Sequence, residues 1–164
     1  MLELDTNSML QIISLDISNK NLDEIPELYK YKNLHRLVCK NNKIKKIPEL
    51  PKNIKYIDIR NNNIEELPIL PESVIYIDAR NNKITNIPNI PRNLKILLLN
   101  NNNLTKLPLL LKSNLIRLEI INNKINIIPY LPNLKVFLGK GNCFIVKPFL
   151  NRGILLHDLD EFIC

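Results

Sequence analysis

Apolar residues return along this chain in blocks rather than at a single helical or strand period. Seven segments fit L-x-x-L-x-L-x-x-N-x-L, beginning at Ile12, Leu34, Ile54, Val74, Leu94, Leu115 and Leu134, with spacings of 22, 20, 20, 20, 21 and 19 residues. The first, fourth, sixth and eleventh positions are Leu, Ile or Val except at Cys39, Ala79, Phe137, Gly139 and Phe144. The fourth and sixth positions alternate with variable residues, the period-two pattern of a short strand with one buried face. A repeat of this length returns each strand to the phase of the one before it. Identical turns therefore stack into a parallel sheet at about 4.8 Å per rung, and the predicted product is a curved, β-rich repeat solenoid.

The ninth position is Asn42, Asn62, Asn82, Asn102, Asn123 and Asn142. An amide side chain donates and accepts at once. Where the chain turns out of each strand, buried backbone groups lose their ladder partners, and a stacked column of amides can supply them. Asp or Leu would supply half of this or none. The first repeat carries Lys20 instead, so its turn is expected to be wetter or irregular.

A second constant piece follows the eleventh position: Ile47-Pro48-Glu49-Leu50-Pro51, Leu67-Pro68-Ile69-Leu70-Pro71, Ile87-Pro88-Asn89-Ile90-Pro91 and Ile128-Pro129-Tyr130-Leu131-Pro132. Two prolines three apart favour an extended, polyproline-like path, and too few residues remain per turn for a useful helix. The strands should form the concave side and the extended segments the convex one. Leu107-Pro108-Leu109-Leu110-Leu111 lacks the second proline in a longer repeat, which predicts a bulge around residues 109–113.

These motifs resemble the leucine-rich repeat family, and the 20-residue L-P-x-L-P version is most similar to its short bacterial-effector class. The resemblance covers residues 12–142, 131 of 164. It implies a solenoid that binds other proteins. Some members add a C-terminal ubiquitin-ligase domain with a catalytic Cys; only 22 residues follow Asn142, so that domain is expected to be absent. Residues 1–11 read as an N-terminal cap. In residues 143–164, Ile154, Leu155, Leu156, Leu159, Phe162 and Ile163 recur at roughly helical spacing, which predicts a helical C-terminal cap.

Composition narrows the function. Leu, Ile and Asn supply 81 positions, whereas Gly is 3, His 2 and Cys 3, and Trp is absent. That leaves no phosphate loop, metal spacing or acid–base pair, so no enzyme, metal or cofactor is expected. Cys39, Cys143 and Cys164 are odd in number and far apart, implying no disulfide framework and a reducing, cytoplasmic setting. Cys39 replaces a buried sixth-position residue and reads as core. The start, Met1-Leu2-Glu3-Leu4-Asp5, does not read as a secretory signal, and no apolar run approaches a membrane span. The effector resemblance and the compositional bias together point to a pathogen or virus protein acting in a host cytoplasm.

The variable concave positions are where a repeat protein carries recognition. The centre repeats Tyr56-Ile57-Asp58-Ile59-Arg60 as Tyr76-Ile77-Asp78-Ala79-Arg80. These columns either pair with one another or form a polar hot spot, Tyr and Arg being enriched at interfaces. Beside them Ile96, Leu98, Ile121, Val136 and Leu138 fall in columns expected to face solvent, and with Arg117 they complete an expected partner surface. The sequence thus predicts a monomeric module for an unidentified protein, with no membrane partner. Self-assembly is the alternative. A nucleic-acid or acidic partner on the basic edge of Lys40, Lys43, Lys45, Lys46, Lys52 and Lys55 is less favoured, because only the two tyrosines could stack with bases.

Overall fold

The computed structural model describes residues 6–108, 114–144 and 155–156. Seven three-residue strands occupy the third to fifth positions of the seven repeats: β1 (Ser14–Asp16), β2 (Arg36–Val38), β3 (Tyr56–Asp58), β4 (Tyr76–Asp78), β5 (Ile96–Leu98), β6 (Arg117–Glu119) and β7 (Val136–Leu138). With β8 (Leu155–Leu156) they form one parallel sheet whose spatial order is the sequence order. The register never slips. Arg36 pairs with Tyr56, Tyr56 with Tyr76, Tyr76 with Ile96, Ile96 with Arg117 and Arg117 with Val136, so equivalent repeat positions stand in straight columns.

The core is a stack of apolar layers, one per rung. Ile54, Ile57, Ile59 and Ile64 are buried, and so are Leu94, Leu97, Leu99 and Leu104 at the same positions two rungs on. Leu50 and Leu70 from the proline segments close the layers from the convex side. The last rung keeps its volume by exchange. Gly139 stands where other rungs have an apolar side chain, and a Cβ there would lie 2.6 Å from the ring of Phe137. The larger fourth-position side chain therefore fills what the sixth position vacates.

On the convex side the described chain is extended, with isolated parallel bridges from Lys46 to Glu66 and from Glu66 to Asn86. The second proline of each motif opens the turn into the next strand: Ile54, Val74 and Leu94 each donate their N–H to the carbonyl of Pro51, Pro71 or Pro91 at 3.1 Å. The first repeat departs from the extended path. It lacks that proline and is two residues longer, and a 3-10 turn, Leu28–Lys30, takes up the excess. The expected bulge at 109–113 lies outside the described residues.

At the N-terminal end a six-residue helix, α1 (Thr6–Gln11), precedes the first rung, and Met9 packs on the core. At the other end Leu155 and Leu156 extend the sheet as a strand paired with Val136 and Phe137, where helical spacing predicted a helix. Parallel addition satisfies the open backbone edge of β7 directly, whereas a helix could only cover it. The remainder of 145–164 lies outside the described residues.

Candidate functional site

Each ninth-position amide makes the same set of bonds. Asn82 Nδ2 donates to the carbonyls of Ile59 (3.0 Å) and Ala79 (3.1 Å), and its Oδ1 accepts the N–H of Ile64 at 3.0 Å. Asn62, Asn102 and Asn123 repeat this arrangement. Asn142 donates to Ile120 and Gly139 and accepts from Ile125. Asn42 reaches back into the first turn, where its Oδ1 accepts from both Lys20 and Leu22. Exposed Lys20 therefore leaves no backbone gap there, because the next rung supplies the missing amide.

A second amide column runs beside the first on the surface. The eighth positions Asn19, Asn41, Asn61, Asn81, Asn101 and Asn122 all have φ between +53° and +58°, a region that Asn tolerates better than other side chains. From Asn41 onward each side chain donates to the amide of the preceding rung at 2.6–2.8 Å, the first bond ending on Asn19 Oδ1. Gly141 ends the column with φ +73°, and a Cβ there would lie 2.3 Å from Asn122 Oδ1. The sequence signal for this column was the Asn-Asn pair in five successive repeats.

The concave centre is a zigzag of ions beneath an aromatic stack. Arg60 grips Asp58 through Nε and Nη2, both at 2.9 Å, and its Nε lies 3.2 Å from Asp78 Oδ2. Arg80 grips Asp78 in the same way at 2.9 and 2.7 Å. The Tyr56 and Tyr76 rings stack with centroids 4.3 Å apart and 3° between planes. Arg36 caps the outer face of Tyr56 at 3.9 Å. Burial, with the Asp78 charge next, raises the Tyr76 phenol above its ordinary value. Two rungs further on, Arg117 binds Glu119, which also accepts from Asn100 Nδ2 at 2.9 Å. Arg36 and Asn100 were not among the site residues read from sequence; their signal was their place in the third and seventh columns beside Tyr56 and Glu119.

From β2 to β6 the fifth column is buried, which corrects the expectation that it faces solvent; at its two ends Asp16 is exposed and Leu138 half-buried. Asp58, Asp78 and Glu119 are 3%, 1% and 4% exposed, and Leu98 is 7% exposed. Ile96, Ile121, Val136 and Leu138 are half-buried. In-register side chains shield one another along a column, and long third- and seventh-position neighbours fold across the short residue between them. The large apolar side chains exposed among the described residues lie elsewhere: Ile13 and Ile75 at second positions, and Tyr29, Ile69, Ile127 and Tyr130 in the convex segments. Of the expected apolar concave residues, Leu98 is buried, while Ile96, Ile121, Val136 and Leu138 keep part of their surface exposed.

The remaining chemistry is sparse. Burial first, then the charges of Asp58 and Asp16, push the Cys39 thiol up to about 12. Cys143 is disulfide-bonded, unlike the free thiol its spacing implied; Cys164 and His157 lie outside the described residues. His35 Nδ1 lies 2.7 Å from the carbonyl of Asn33. Among the described residues no group of three His, Cys, Asp or Glu could hold a metal, and no helix is long and apolar enough to cross a membrane. The basic edge is not uniformly basic. Lys45, Lys46 and Lys52 line an open cleft of about 1250 Å³ together with Asp23, Glu24, Glu49, Glu65 and Glu66.

Straight columns, a parallel concave sheet, an Asn ladder and an extended convex side define a leucine-rich repeat solenoid. No family model and no curated protein matches the chain. Solved structures do. YopM from Yersinia enterocolitica WA-314 is 30% identical with a TM-score of 0.79, over 88% of this chain and 31% of that one. The YopM leucine-rich effector protein from Yersinia pestis is 30% identical with a TM-score of 0.78, over 87% and 41%. A Shigella effector leucine-rich repeat domain, 24% identical with a TM-score of 0.72 over 84% and 62%, shares the fold. The chain thus spans under half the length of either Yersinia protein. Its fold is that of effector-type leucine-rich repeats, a kind that commonly mediates protein interaction and is typically a non-catalytic scaffold.

Proposed function

We propose that the protein is an interaction module that recognises a partner protein with its concave face and performs no chemistry of its own. The observation that carries this reading is the preformed strip of Arg36, Tyr56, Tyr76, Arg60 and Arg80. Its rings and guanidinium groups are fixed before any partner arrives, so little side-chain entropy is lost on binding. The ion pairs use Nε and Nη2 of Arg60 and Arg80, leaving Nη1 of each outside them. Likeness to bacterial effectors supports a place of action in a host cytoplasm.

The test is affinity capture from nuclease-treated host lysate at low and physiological salt. It compares the native chain with Tyr76→Ala/Arg117→Ala on the concave side and with Ile69→Glu on the convex side. One protein retained by the native chain and Ile69→Glu, and lost from the folded concave variant, supports the reading. Retention by the concave variant with loss from Ile69→Glu would move recognition to the convex side and overturn it.

A further inference from the structure

The charge of this molecule is unevenly placed. The second, third, fifth, seventh and eighth positions of the seven repeats carry nine cations against four anions, a net +5 out of the +7 of the whole chain. The two signs also lie at different depths. Asp58, Asp78 and Glu119 are almost fully buried, while their partners Arg60, Arg80 and Arg117 keep 32%, 33% and 45% of their side chains exposed. Once these three pairs cancel, Arg36, Lys40, Lys55, Lys95 and Lys135 stand in these columns against one carboxylate among the described residues, Asp16 at the N-terminal end. Among them Lys55, Lys95 and Lys135 stand exposed in the second column and join no ion pair among the described residues.

The opposite edge of the same face is the exposed amide column. Each Asn there uses one N–H in the ladder, and its side chain has two. A ligand lying along the solenoid axis would meet lysine ammonium groups on one edge, guanidinium groups in the middle and amide donors on the other edge. That chemistry suits carboxylates on a polypeptide. It suits nucleic acid less well, because three of the four tyrosine ring faces on which a base could stack are already in use: Tyr56 and Tyr76 cover each other, and Arg36 covers the free side of Tyr56.

We infer that the partner of the concave face is an acidic, Asp/Glu-rich polypeptide segment lying across the rungs from β2 to β7. The inference rests on the concave-face reading above and adds the partner's chemistry. Around the lateral cleft the module's own carboxylates, Asp23, Glu24, Glu49, Glu65 and Glu66, outnumber Lys45, Lys46 and Lys52, so that side attracts an acidic partner less than the concave face does.

Fluorescence anisotropy tests this with three labelled probes: an oligoglutamate peptide, an oligoglutamine of the same length, and a single-stranded oligonucleotide of the same charge. Oligoglutamate should bind the native chain and oligoglutamine should not. The triple variant Lys55→Gln/Lys95→Gln/Lys135→Gln should weaken oligoglutamate about tenfold or more. Lys43→Gln/Lys83→Gln/Lys124→Gln removes the same charge from exposed tenth positions off the face, and should change affinity by less than about twofold. Equal losses in the two triples would mean diffuse attraction and overturn the inference, as would tighter binding of the oligonucleotide. If oligoglutamate does not bind while lysate capture still depends on Tyr76 and Arg117, the acidic partner falls and the concave-face reading stands. If capture also fails to depend on them, both fall.

Discussion

Replacing Asn82 by Leu removes one rung of the buried amide ladder, and the bond pattern sets what that costs. The carbonyl of Ile59 accepts from Asn62 as well as Asn82, and that of Ala79 accepts from Asn102 as well as Asn82. Both keep a partner in the variant. The N–H of Ile64 does not, since its acceptor is Asn82 Oδ1. An orphaned buried donor costs about 1–3 kcal/mol, and weakening two further bonds adds about 1 kcal/mol. The expected loss is about 3 kcal/mol, read from urea unfolding followed by circular dichroism. Asn82→Asp keeps the acceptor but turns a carboxylate oxygen toward two carbonyls, so its loss should be larger at neutral pH. Protonation restores one donor, which raises the folded-state pKa of the new carboxyl above its unfolded value near about 3.9. The folded state then binds the extra proton, and the deficit of Asn82→Asp against the native chain shrinks as pH falls through that raised value. A loss below about 1 kcal/mol for Asn82→Leu, or a pH-independent deficit for Asn82→Asp, would refute the assignment of turn stability to the ladder.

Arg60→Met strips the buried Asp58 carboxylate of its bidentate partner and should cost about 2–4 kcal/mol; adding Asp58→Leu should recover most of that in a double-mutant cycle. Cys39 should resist iodoacetamide at neutral pH and react once urea unfolds the chain. Because its folded thiol titrates near 12 against an ordinary 9.0, stability should fall as pH rises from 9 toward 12, and Cys39→Ala should remove that part of the slope. Gly139→Leu drives a side chain into the Phe137 ring and should destabilise by about 1–3 kcal/mol, whereas Phe137→Leu/Gly139→Leu restores the layout of the other rungs and should unfold closer to the native midpoint.

The rungs were legible because each repeat restates the same requirement, and Ile54, Ile57, Ile59 and Ile64 carry it with no competing signal. The amide ladder was legible for the same reason. Depth within the concave face was not. Period-two alternation says which side of the sheet a residue faces, and it places Leu98 and Asp58 on the outer side. It does not say that Tyr76 and Arg80 fold over the position between them, because that covering depends on side-chain length in adjacent columns. Leu155 and Leu156 show the other limit. Apolar residues at helical spacing also satisfy a strand, and the open edge of β7 decides between the two. The 3-10 turn at Leu28–Lys30 follows from a missing proline and two extra residues, a local irregularity that the repeat pattern itself does not encode.

The shared carbonyls of the buried ladder also make the rungs interchangeable. A rung presents the same acceptors to the one after it as it takes from the one before, so the junction between Asn62 and Asn82 is chemically that between Asn82 and Asn102. Excising or duplicating a block of 20 residues, such as that from Ile54 to Ser73, regenerates an existing joint rather than creating a new one. The length of the molecule, and with it the reach of its concave strip, can therefore change in whole units by recombination of its coding sequence, with no intermediate that must fold around a mismatched seam.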